Sequence, residues 1–371
     1  MRIALVAPLV TVIAQPFVGG AQAMLADLAR GLQRRGHNVT LFAREGSAIP
    51  GLAIEQLAVP EIVRPSTFST PGTERPTDPG FFAQANIFLD LFLHLRQRQH
   101  EFDLIHAHAF DWPAFVHSAL IQDIPIVHTI HLPAVSPEIN AALQILHRQQ
   151  HPLTLITVSH ACAQTYADFT PFDAIIYNGL DLQTIPFAEQ IPVDAPLLFA
   201  GRITPEKGVE EAIEIAQRAG VRLLIAGGIY DQPYYEEHVL PHLQQEHVTY
   251  LGHLDHDTLW KLMSQARGLV FPIAWDEPFG LAPVEAMATG TPVIAFRRGA
   301  AAEVIRDGET GFLIEPGDCE QAALRVNDLA SISRARCREH VEQHFSLERM
   351  LDAYEDMYQT LSMERTRTSA T

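Results

Sequence analysis

Short apolar runs alternate with longer stretches of helical periodicity along almost the whole chain, and the alternation starts afresh once. Arg2–Ala7, Asn38–Ala43, Leu52–Val59, Asp103–Ala107, Ile126–Ile130, Leu153–Val158 and Ala174–Tyr177 have strand length. Between them lie helical patterns such as Ala21–Arg35, with Met24, Leu25, Leu28 and Leu32 on one face and Gly36 as a closing residue. Strand, helix, strand in succession implies a parallel sheet, because parallel neighbours need a long crossover. Ile185–Pro196 holds three prolines and little periodicity, and reads as a linker. The pattern resumes with Leu197–Ala200, Arg222–Ala226, Val248–Leu251, Gly268–Phe271, Pro292–Phe296 and Gly311–Ile314. Helices are expected over Pro205–Ala219, Tyr234–Gln245, Asp257–Gln265 and Ala282–Ala288. The expected class is therefore α/β, with two doubly wound domains. The first spans 1–185 and the second 186–345. A terminal helix, 346–371, returns to the first and ends in a disordered tail from Arg365. Thr67–Gly80, rich in Pro, Thr, Ser and Gly, is expected to be a mobile loop. In such domains ligands lie outside the carboxyl ends of the strands, and two of them face a central cleft.

Charge narrows the partners. Among 371 residues there are 26 Lys plus Arg and 44 Asp plus Glu, a net −18. That balance argues against a nucleic-acid binder. It also disfavours wholesale adsorption to anionic lipid, while leaving a local peripheral membrane contact open. Cys162, Cys319 and Cys337 are too few for a disulfide framework and fit a reducing, cytoplasmic setting. The first residues outline a weak signal peptide, but Pro8 interrupts the apolar run and Arg2 is the single basic side chain before it. We read them as a strand. No stretch has the length of a membrane span.

Two loops that follow strands carry the chemistry. Gly201-Arg202-Ile203-Thr204-Pro205-Glu206-Lys207-Gly208 opens a helix, with Thr204 as the expected N-cap and Pro205 at its first position. Lys207 then lies in the first turn, where a cation opposes the helix dipole unless an anion binds there. Arg202 and Lys207 with free N–H groups would form a diphosphate clamp; a solvated loop with incidental charges is the plainer alternative. In the second loop Glu277 precedes Phe279-Gly280-Leu281 at a helix start. Glu285 lies within an otherwise apolar helix, where a carboxylate is costly unless partnered. A vicinal diol would partner it, and so would a backbone group or an arginine.

The histidines need separate weighing. His106 and His108 flank Ala107, with Asp111 nearby, but three ligands on one segment make a poor metal site, and none is expected. His128 points away from Thr129 by strand alternation and reads as packing. His131 follows the Ile126–Ile130 strand at its carboxyl end. Cys162 reads as structural.

GRITPEKG, together with EPFGLAPVEAMATGTPVIA, resembles retaining glycosyltransferases of family 4. Gly19-Gly20, His131, Asn178-Gly179-Leu180-Asp181, Gly227-Gly228, Leu251-Gly252 and Glu309-Thr310-Gly311 match too, so the likeness covers about residues 1–360. It implies the GT-B fold, two Rossmann-like domains facing a cleft. It implies transfer of a sugar from a nucleoside-diphosphate sugar, with uracil as the expected base, and retention of configuration. It implies that no cofactor and no metal are needed. Arg202 and Lys207 would hold the diphosphate, Glu285 the ribose, and Glu277 the transferred sugar. Phe279, Gly280 and Leu281 would offer backbone, and Gly252, His253 and Leu254 would lie by the base. Gly19 and Gly20 would let their loop approach the diphosphate or the acceptor, and His131 matches the active-site histidine of the amino-terminal domain. Gln22 departs from the acidic residue that members often carry there. The competing readings are a nucleotide-sugar epimerase, a phosphorylase, which would need a pyridoxal-binding lysine signature, and a non-catalytic two-lobed sugar-binding protein. The acceptor and the oligomeric state are left open.

Overall fold

A computed structural model describes residues 1–15, 17, 20–62, 79–244 and 247–368, with side chains as far as 363. Gly19 and most of the Thr67–Gly80 loop lie outside the described residues. The chain divides into two compact units. One comprises Met1–Val158, Ala163–Ile176 and the chain from Met350 onward; the other comprises Ser159–Cys162 and Tyr177–Arg349.

The first unit holds a parallel sheet of β1 (Arg2–Val6), β2 (Asn38–Arg44), β3 (Ala53–Leu57), β4 (Leu104–Ala107), β5 (Ile126–Ile130), β6 (Leu153–Thr157) and β7 (Ala174–Ile175). Their spatial order is β3-β2-β1-β4-β5-β6-β7. β4 and β5 are buried at every position, which is why they read as unbroken apolar runs punctuated only by histidine and threonine. Phe88, Phe92 and Leu95 of the helix Pro79–Gln97 pack with Phe42 and Ile105 of the sheet. Each such side chain contributes roughly 1.5–3 kcal/mol of burial.

The chain's last helix, Leu347–Thr368, runs into the segment expected to be a tail. From Met350 it belongs to the first unit. Its Leu351 fills the space over Gly31, where an added Cβ would come within 2.6 Å of that side chain. Glu355 accepts from Arg35 at 2.5 Å and lies 2.7 Å from His37 Nε2. Tyr354 and Tyr358 are fully buried.

The second unit holds β8 (Leu197–Ala200), β9 (Leu223–Ala226), β10 (Val248–Tyr250), β11 (Gly268–Phe271), β12 (Val293–Phe296) and β13 (Gly311–Ile314). All are parallel, in the order β10-β9-β8-β11-β12-β13. The order reverses between β8 and β11, so the loops after these two strands are neighbours.

Two local expectations are corrected. The stretch after β8 is not one helix. Pro205–Lys207 is a 3-10 turn, Gly208 breaks it at φ 72°, and the α-helix is Val209–Ala219. Lys207 therefore precedes the helix instead of sitting in its first turn, and Thr204, though buried, makes no hydrogen bond with its hydroxyl among the described residues. The expected helix Tyr234–Gln245 is a composite: Gln232–Tyr234 is α, Tyr235–Val239 is π and Leu240–Gln244 is 3-10. Pro241 lacks the N–H that an α-ladder would use. No helix among the described residues is long and apolar enough to cross a membrane.

Candidate functional site

Adjacency of β8 and β11 lays the Gly201–Gly208 loop against the Pro272–Gly280 loop. Gly208 makes this close approach physically possible. A Cβ there would stand 2.0 Å from the Pro272 carbonyl oxygen, and its φ of 72° also favours glycine. Ala274 N–H donates to the Glu206 carbonyl at 2.9 Å. Lys207 and Glu277 meet across this seam, Nζ to Oε2, at 2.6 Å, with both side chains mostly buried. Trp275 Nε1 donates to the same oxygen at 2.6 Å, and the Lys207 ammonium stands 5.1 Å from the Trp275 ring centroid. Both donors thus use Oε2, and Glu277 Oε1 makes no hydrogen bond among the described residues. The loop is held from behind by Gly299, where a Cβ would come within 2.4 Å of Glu277 backbone, and by Ala300 N–H donating to the Glu277 carbonyl at 2.9 Å.

Arg202 is exposed. Its guanidinium stacks over Tyr230 at 5.5 Å and reaches Glu206 at 3.5 Å, a surface pair worth little to stability. Gly280, at φ 89°, starts the helix Leu281–Ala288 without a side-chain cap. The first N–H groups of that helix have no partner within it. Phe279 is buried against Tyr177 and Phe345, so what it can offer a ligand is backbone.

Glu285 sits on that helix, half-buried. Trp260 Nε1 donates to its Oε1 at 3.2 Å, and burial raises its pKa despite opposing influences from His256 and Trp260. Gly252, at φ 74°, with exposed His253 and half-buried Leu254, forms the turn after β10. Its carbonyl accepts from Gly227 N–H at 2.8 Å.

In the first unit, Gly20 is exposed and begins the helix Gly20–Arg34, and the Gln22 amide donates to Thr11 at 2.8 Å. His108 and His131 each stand one residue beyond the ends of the neighbouring strands β4 and β5, and their Nδ1 and Nε2 atoms are 3.0 Å apart. His106 lies against the Tyr358 hydroxyl at 2.6 Å through Nδ1 and the Thr129 hydroxyl at 2.7 Å through Nε2. Asp111 accepts from Gln84, and burial raises its pKa to about 6. Among the described residues no three His, Cys, Asp or Glu side chains gather as a metal site. His128 packs on Phe115, on the opposite face from Thr129. Burial lowers the pKa of His131 to about 4 and of His128 to about 3.

Trp260, Trp275, Gly208 and Gly299 were not legible as site residues. The tryptophans carried a signal, since the chain has only three and two of them hold the site glutamates.

Residues 183–344 match the model of glycosyl transferases group 1, and residues 18–184 that of glycosyltransferase family 4. The chain belongs to these glycosyltransferases. A Mycobacterium tuberculosis glycogen synthase is 32% identical over 286 residues, covering 69% of this glycosyltransferase and 68% of the relative. A phosphatidyl-myo-inositol mannosyltransferase from the same organism is 29% identical over 344 residues, 86% of each chain. Sucrose-phosphate synthase from Thermosynechococcus elongatus superposes with a TM-score of 0.76 at 23% identity, covering 97% of this chain and 98% of that one. The Anabaena protein HepE, solved with UDP and glucose, gives 0.73 at 21% identity over 97% and 99% of the two chains. The glycosyltransferase thus has the two-domain GT-B fold, with a Rossmann-like sheet in each unit.

Proposed function

We propose that this glycosyltransferase moves a sugar from a uridine-diphosphate sugar to an acceptor hydroxyl with retention, and without a metal. The observation that carries the reading is the meeting of Lys207, Trp275 and Glu277 beside the uncapped start of Leu281–Ala288. A cation and free N–H groups suit a departing diphosphate, and charge stabilisation of this kind is a large contribution to such reactions. Arg202 and Lys207 hold the diphosphate, and Phe279, Gly280 and Leu281 add backbone. Glu277 turns Oε1 to the sugar, and Glu285 takes the ribose hydroxyls. Gly252, His253 and Leu254 border the base, Gly19 and Gly20 let their loop approach the diphosphate or the acceptor, and His131 meets the sugar or acceptor. The bond from the anomeric carbon to phosphate oxygen breaks and a bond to the acceptor oxygen forms on the same face. The acceptor's proton passes to the released phosphate oxygen. Uridine is favoured because HepE was solved with UDP and with UDP-glucose; a starch synthase of the same fold, solved with ADP and acarbose, makes adenosine the competitor.

The test is release of nucleoside diphosphate from UDP-, ADP- and GDP-sugars, with and without a panel of acceptors, in buffer and in excess EDTA. Release from a UDP-sugar that survives EDTA is expected, with the starting anomeric configuration in the product's proton spectrum. No release from any donor would remove the catalytic reading. Loss in EDTA restored by a divalent ion would remove the metal-free one.

A further inference from the structure

We propose that His108 is a positioning residue that fixes the proton of His131 on Nδ1, so that His131 faces its ligand as a hydrogen-bond donor. The inference rests on the reading of His131 given above.

The argument is one of proton accounting. A neutral imidazole has one donor and one acceptor nitrogen, and the hydrogen bond at one fixes the role of the other. His108 Nδ1 and His131 Nε2 share one hydrogen bond at 3.0 Å, so one of them carries the hydrogen. His108 is 2% exposed, and its Nε2 is enclosed without a partner among the described residues. If His131 Nε2 donated, His108 Nδ1 would accept and its proton would sit on that enclosed Nε2. A buried N–H without a partner is the costlier orphan; an unfilled acceptor is better tolerated. His108 therefore carries its proton on Nδ1 and donates it. His131 Nε2 accepts, and the His131 proton must lie on Nδ1.

The neighbours leave His108 no other choice. The ring nearest to it is His106, 4.1 Å between centroids, and both nitrogens of that ring are engaged by Tyr358 and Thr129. His131 is half-buried, and among the described residues its Nδ1 makes no hydrogen bond and is not enclosed. Strand geometry brings this about. β4 and β5 are parallel neighbours in register, and each histidine follows its strand by one residue on the same face. The same alternation sends His128 to the other face.

The test is a long-range proton–nitrogen correlation spectrum of the full chain labelled at histidine nitrogen, with the His131 signals assigned by their loss in His131→Gln. Nδ1 of His131 is expected to be the protonated nitrogen and Nε2 the bare one. A proton on Nε2 in the wild-type spectrum overturns the proposal, whether or not the chain proves to be an active transferase. Two nearly isosteric variants separate donation from packing. His108→Asn keeps an N–H donor towards His131, whereas His108→Asp offers only acceptors and draws the His131 proton to Nε2. Turnover at saturating donor should fall about ten- to hundredfold in His108→Asp, as expected when a catalytic imidazole is held in the wrong tautomer. The donor KM should stay within about threefold, and His108→Asn should stay within about threefold of wild type in both. Equal turnover in the two variants, or a His131 proton that stays on Nδ1 in His108→Asp, overturns the positioning role. Should His108→Asp not fold, the wild-type spectrum and His108→Asn decide alone: wild-type Nδ1 protonation with activity kept in His108→Asn supports it.

Discussion

Glu277→Gln separates charge from shape at the seam between the β8 and β11 loops. The amide oxygen still accepts from Trp275 and Lys207, so the geometry is kept while the negative charge is lost. Lys207 and Glu277 are 14% and 15% exposed, between the surface and the deep interior. Two unit charges 4 Å apart at an effective dielectric of 20 attract by about 4 kcal/mol before desolvation is counted. Exposed pairs net about 0–1 kcal/mol, while breaking a fully buried pair costs about 3–5 kcal/mol. A loss of about 2 kcal/mol follows, or about 4–8 °C in Tm for a unit of this size. Kinetics should respond more strongly. Positive charge grows on the anomeric carbon as the bond to phosphate breaks, and the carboxylate's attraction strengthens at that moment. Losing one such preorganised group costs about a hundred- to thousandfold in kcat. Free nucleoside diphosphate should bind unchanged or up to about tenfold more tightly, since Lys207 is no longer neutralised. Initial-rate kinetics and calorimetric titration with the diphosphate read both quantities. A variant with wild-type kcat and a tenfold weaker affinity would refute the reasoning, because Glu277 would then serve the diphosphate and not the sugar.

Arg202→Ala should leave Tm nearly unchanged, since the side chain is exposed, yet weaken nucleoside diphosphate binding by about tenfold; equal affinity in titration would remove Arg202 from the clamp. If Glu285 holds the ribose as proposed, Glu285→Gln should raise the donor KM with kcat little changed, because such bonds would be the same before and after cleavage; a fall in kcat at constant KM would contradict this. Asp111 has its pKa raised by burial to about 6, so at pH 7 its folded carboxylate is a liability that disappears as the pH falls below its unfolded value. Asp111→Asn should stabilise by about 2–3 kcal/mol at pH 7 and by only about 0.5 kcal/mol at pH 4 in denaturant titrations, and a gain undiminished at pH 4 would assign it to packing. His106, His108, His128 and His131 have pKa values depressed by burial, so they bind protons in the unfolded state first. Their contribution is present above about pH 6.5 and is lost as pH falls towards their folded values, at up to about 1.4 kcal/mol per pH unit for each. A calorimetric Tm that stays flat from pH 7 to 5 would show that they are not neutral inside the fold.

The strands were legible because parallel strands covered on both faces have no reason to alternate, and their apolar runs end where the chain emerges into a loop. That is also why Arg202, Lys207, Glu277 and His131 stood out as candidates: they lie in or at the start of loops that follow such runs, and ligands of doubly wound sheets bind at that end. Contact between them is another matter. Lys207 and Glu277 are 70 positions apart, and they meet because β11, the fourth strand of its unit, inserts beside β8, the first. Strand order is a property of the whole sheet, and no local pattern encodes it. The glycine that permits the meeting, Gly208, looked like the end of a charged loop because the carbonyl it must avoid belongs to Pro272. His106 and His108 show the same division. Alternation places both on one face, and that invited comparison with a pair of metal ligands. Yet His106 is engaged by a hydroxyl 252 positions away, and His108 by a histidine just past the end of the next strand. Period two tells which side of the sheet a residue faces; only the neighbour strand and the covering helix tell what it meets there. For a residue whose chemistry depends on which nitrogen holds a proton, the partner decides the function as much as the residue itself.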